Sequence, residues 1–141
     1  MATESNLIRD GGNCVASANY GNNQSLAGPS GSGQFLWVIL SQSADRTAVL
    51  NSAAGAQAYG ILQNKPNTGE VADVAIFGIS KAVVAAAGVT RGKPQMATAT
   101  GATTDWTAGS GYAQLGVALE SGASGAIVPV FVWGTPSKVL T

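Results

Sequence analysis

The chain has 141 residues, enough for one domain that buries a stable core without disulfide or metal staples. Only 10% of residues are charged, seven acids balance seven bases, and histidine is absent. This excludes a clustered basic face for nucleic acid and excludes charge-driven disorder.

The chain opens with Met1-Ala-Thr-Glu-Ser-Asn, which is polar and acidic and lacks the basic and apolar regions of a signal peptide. Residues 1–33 are rich in Gly and Asn, with Leu7, Ile8, Val15, Tyr20 and Leu26 as spaced apolar anchors. Alone, such a stretch buries too little apolar surface to offset its ordering entropy. It reads either as a loose tail or as an extended arm that orders on a partner. The anchors favour the arm, which makes Leu7, Ile8, Tyr20 and Leu26 candidate contact residues. Cys14 is the single cysteine, so an internal disulfide is impossible and a free, unreactive thiol in a cytosol is expected.

A β domain is expected over residues 34–134. Phe35-Leu-Trp-Val-Ile-Leu has the length and residue types of a buried strand, and is far too short to cross a membrane. Ser41 to Asp45 turns the chain, and Arg46 to Leu50 returns as a second strand. Tyr59 to Gln63 is a third. Asn64-Lys-Pro-Asn-Thr-Gly is a loop, and Glu70 to Gly78 is a fourth strand. Ile79 to Ala87 fits a short helix capped by Gly88 or another strand, and its paired valines favour the strand.

Further on, Trp106 sits in the polar stretch Thr103-Thr-Asp-Trp-Thr-Ala-Gly-Ser-Gly, where an exposed aromatic marks a contact surface. Tyr112 to Glu120 alternates, with Ala113, Leu115, Val117 and Leu119 on the face expected to be buried. Ala126 to Trp133 is the last strand. Ala126, Val128, Val130 and Val132 fall on one side, and Ile127, Phe131 and Trp133 on the other. Pro129 lacks a donor and predicts an edge or a bulge. Trp37 and Trp133 are expected to pack in the core. Residues 135–141 read as a C-terminal tail. Short strands at regular spacing predict an all-β fold, a small barrel or sandwich of antiparallel strands.

Catalytic chemistry is hard to place. Neither Cys14 nor any serine has a histidine to activate it. Glu70 and Asp73, three apart in a strand, face opposite sides. No His/Cys cluster suits zinc. Gly28-Pro-Ser-Gly-Ser-Gly lacks the Lys-Ser/Thr of a phosphate loop. No enzyme activity, metal or cofactor is expected.

Four segments carry a family resemblance: Ala58-Tyr-Gly-Ile-Leu-Gln-Asn, Gly69-Glu-Val-Ala-Asp-Val-Ala-Ile-Phe-Gly-Ile-Ser-Lys-Ala, Val89-Thr-Arg-Gly-Lys-Pro and Leu115-Gly-Val-Ala-Leu-Glu. Over roughly residues 35–133 the chain resembles the small decoration, or cement, proteins of tailed-bacteriophage capsids. It departs from them at Arg91-Gly-Lys-Pro, where an acidic residue more often follows the Gly, and in its longer Gly-rich N-terminus. The resemblance implies a homotrimer on the outer surface of an expanded head, clamping adjacent capsomers of the major capsid protein. The expected location is then the virion, with no nucleic-acid or membrane partner. On this view residues 1–33 reach across the shell, and deleting residues 1–30 leaves a folded domain that no longer binds heads. A phage fibre-tip or receptor-binding module is the alternative, since it shares the Gly/Ala/Thr-rich β composition.

Overall fold

A computed structural model describes residues 5–21, 32–109 and 111–133. Among them there is no helix. The strands in chain order are β1 (Ser5–Arg9), β2 (Cys14–Ala16), β3 (Trp37–Leu40), β4 (Thr47–Leu50), β5 (Gly60–Leu62), β6 (Val71–Ala72), β7 (Val74–Val83), β8 (Pro94–Ala97), β9 (Thr103–Asp105), β10 (Gly116–Ala118) and β11 (Ile127–Val132). All belong to one mixed sheet in the order β6-β2-β4-β3-β5-β7-β11-β10-β8-β9, with β1 added to β7. The chain is all-β. The small barrel or sandwich predicted from strand spacing takes the form of a sheet that does not close on itself.

The ten-residue β7 organises this sheet. Ala75 lies opposite Arg9 and Ile61, and Ile79 lies opposite Ser5 and Phe131. β5 and β11 therefore share one edge of β7 end to end, and β1 takes the other. Two cores form around β7. The first gathers Leu36, Val38, Leu50, Leu62 and Val74 with Cys14, Ala16 and Tyr20. The second gathers Trp37, Ile61, Leu115, Val128, Val130 and Val132. β7 feeds both, through Val83 into the first and Ala82 into the second. The segment is thus strand from Ile79 to Val83, as its valines favoured, and turns at Ala86 and Ala87: a pleated, two-sided surface suits β-branched side chains.

Several expectations change. First, the described part of residues 1–33 does not stand apart from the domain. β1 pairs with β7, β2 sits between β4 and β6, and Tyr20 is buried. Apolar anchors spaced among glycines can contribute single side chains to a core whose bulk comes from elsewhere in the chain. Second, β2 runs parallel to β4, so the sheet is not purely antiparallel.

Third, the buried face of Tyr112–Glu120 switches midway. Ala113 and Leu115 point inward, but so do Gly116 and Ala118, while Leu119 is exposed. Gly116 makes the switch possible, because a Cβ there would lie 2.1 Å from the Phe131 carbonyl oxygen. No other residue fits that approach.

Fourth, Pro129 lies in an internal strand. Its carbonyl accepts a hydrogen bond from the Leu119 N–H at 3.0 Å, so its missing donor faces β10 just past the last pair, Ala118↔Val130. The Leu119–Pro129 pair therefore keeps one bond where other residues would exchange two, and the loss is confined to the last rung of the ladder. Of the two tryptophans expected in the core, Trp37 is fully buried, whereas Trp133 is 37% exposed.

Candidate functional site

The sequence-predicted contact residues do not converge on one surface. Leu7 is half-buried in β1, and its neighbour Ile8 is 54% exposed opposite Phe77. Tyr20 is an interior post. Its hydroxyl accepts from the Leu50 N–H at 3.1 Å and shares a 2.6 Å hydrogen bond with Ser17. A side chain so placed cannot meet a partner. Leu26 lies outside the described residues. Trp106 is half-buried just after β9, its N–H donating to the Pro94 carbonyl and its indole to the Tyr112 carbonyl. Among the described ones only Ile8 is exposed, and Ile8 on β1 and Trp106 just after β9 lie far apart in the sheet order.

Ile8 belongs to a larger feature. Residues directly opposite in adjacent strands share a face. Ile8 opposes Phe77, Ile79 opposes Phe131, and Phe131 opposes Val117. The Phe77 and Phe131 rings meet edge to face, centroids 5.4 Å apart at 77°. Trp133 follows Phe131 on the same side, its indole donating to the Gln114 carbonyl at 3.0 Å. An aromatic and aliphatic face thus spans β1, β7, β11 and β10. Half of it was visible in the alternation that set Ile127, Phe131 and Trp133 together. Phe77 escaped because nothing in the sequence brings β7 beside β11.

Titratable groups are sparse and mostly structural. Asp10 is buried, and its Oδ1 accepts from the Gly12 and Val74 N–H groups. Burial, with the nearby Asp10 charge, pushes the Cys14 thiol up to about 11. The same two causes raise the Tyr59 phenol. A thiol held protonated at neutral pH is a poor nucleophile.

Asp105 joins β8 and β9 to the loop before them, accepting from the Thr90 N–H and the Gln95 amide at 2.9 Å each, with Lys93 3.9 Å away. Partial burial alone would raise its carboxyl, but these donors and the lysine outweigh it and hold the carboxyl below its usual range. Among the described residues, no three His, Cys, Asp or Glu side chains gather closely enough to hold a metal ion.

No protein-family model and no curated protein sequence matches the chain. Among solved structures, it is similar to the head fibre gp8.5 N base in bacteriophage phi29, with a TM-score of 0.61 over 94% of this chain and 98% of that one. The two sequences are 12% identical, so what they share is the fold.

Proposed function

We propose that this chain is a non-enzymatic structural protein of a phage head, bound to the outer surface of the expanded capsid and stabilising it by clamping adjacent capsomers. The observation that supports this most is the end-to-end fold likeness to a phage head fibre base. The sequence resemblance to capsid cement proteins points the same way. Its partners on this reading are the major capsid protein and copies of itself, as a homotrimer. Several bodies acting together multiply weak contacts, so a modest surface per copy suffices. Since the described part of residues 1–33 lies in the sheet, the clamp is a property of the body as well as of any arm.

A second reading takes the chain as the base of a fibre projecting from the head, favoured by the fibre named in its structural neighbour. Co-sedimentation with undecorated expanded heads, and with unexpanded proheads, tests both. Binding to expanded heads alone, at a fixed ratio to the shell subunit, is expected. A cement protein also raises the temperature at which heads release DNA, whereas a fibre base binds and leaves that temperature unchanged. Failure to bind either particle overturns both readings.

A further inference from the structure

The described residues expose eight large apolar side chains, and five of them lie on or beside one sheet face: Ile8, Phe77, Leu119, Ile127 and Trp133. Scattered exposed apolar residues are ordinary, but a contiguous set across four strands is not. Four strands at about 4.8 Å spacing, over the seven residues from Ile127 to Trp133, bound an apolar core of at most about 300 Å². That matches the centre of an interface burying about 800 Å² per partner, whose rim is polar. Phe77, Phe131 and Trp133 are the aromatic anchors that dominate such centres.

The charge pattern selects the occupant. No Asp or Glu occurs in β1, β7, β10 or β11. Arg9 pairs with Asp73 at one end of the face, and Lys81 lies over the Phe35 ring, 5.5 Å from its centroid. A basic partner finds no carboxylate on these strands, and the two cations already have partners within the chain, Asp73 and the Phe35 ring. The same surface on a second copy meets no opposing charge, and the chain's formal net charge of zero leaves no long-range repulsion between copies.

We infer that the β1-β7-β11-β10 face is the contact between copies of this chain, with Phe77, Phe131 and Trp133 at its centre. This deepens the head-protein reading and rests on it for its setting, but it is measured without heads. Sedimentation velocity over a dilution series of the full chain is expected to show reversible self-association. The double variant Phe77→Glu/Trp133→Glu should associate at least about 30-fold more weakly, the loss of one hot-spot contact or more. Val71→Glu, at a more exposed apolar position on β6, should behave as the unchanged chain. A chain monomeric at every concentration overturns the inference, as does a folded double variant that associates normally.

If circular dichroism shows the double variant unfolded, hydroxyl-radical footprinting of the unchanged chain decides. Protection of Phe77, Phe131 and Trp133 that is lost on dilution supports the contact between copies. Equal oxidation at all concentrations overturns it, including the case where protection comes only on binding heads, which makes the capsid the occupant. A monomer that binds heads sinks this contact and leaves the head reading standing. An oligomer that ignores heads does the reverse.

Discussion

Tyr20 shows how much one hydroxyl can hold. It satisfies the backbone N–H of Leu50 inside the first core and ties the chain after β2 to β4. Tyr20→Phe keeps the ring and removes the acceptor, leaving a buried donor unpaired. The expected cost is about 1–3 kcal/mol in urea unfolding, with the fold retained. Asp105 acts through charge instead. Its carboxyl titrates lower when folded than when unfolded, so its contribution is present above the unfolded value and is lost as pH falls through the folded one. Stability should therefore drop below about pH 4, the ordinary aspartate range. Asp105→Asn, which keeps an acceptor but not the charge, should be less stable at neutral pH and show a shallower acid decline. Urea midpoints measured between pH 3 and 6 for both proteins check this.

At the scale of elements, β1 and β2 are integral to the sheet, which changes what truncation should do. Deleting residues 1–30 removes two strands and the buried Cys14, Ala16 and Tyr20 side chains. The shortened chain is expected to lose cooperative unfolding in circular dichroism; a sharp transition near that of the full chain would show the sheet self-sufficient without them. Most of these elements were legible beforehand. Phe35–Leu40, Tyr59–Gln63 and Ala126–Trp133 carry strand composition between clear turn signals, and β3, β5 and β11 fall inside them. β1 and β2 were not legible, because period-two patterning in five or three residues is too short to stand out among glycines. Their pairing is supplied by residues some sixty positions away, as Arg9↔Ala75 and Cys14↔Ala72 show. The contact face was half legible: alternation gave the β11 residues, but only the sheet order adds Ile8 and Phe77.

For the whole molecule, the titration pattern predicts a particle insensitive to ordinary pH. There is no histidine, and every resolved shift points away from neutrality: Cys14 and Tyr59 upward, Glu70 and Asp105 downward. Binding to heads, measured by co-sedimentation, should vary little between pH 5 and 8. With so few charges, moderate salt should matter little as well. A tenfold change in affinity across either range would mean that a charged contact governs docking.

β7 also governs when this protein can become itself. It is paired by residues from position 5 to position 132 of the chain, and both cores include its side chains. During synthesis β1 to β5 emerge without the strand that two of them need. β7 in turn waits for β11, encoded some fifty residues later. The pairings of β7 with β1 and β11, and of β2 with β6, therefore close long stretches of chain, which slows folding and delays it until the last strands have left the ribosome. Meanwhile the residues of the apolar face are open to any neighbour, so rapid expression should favour aggregates and slower, cooler expression the folded protein.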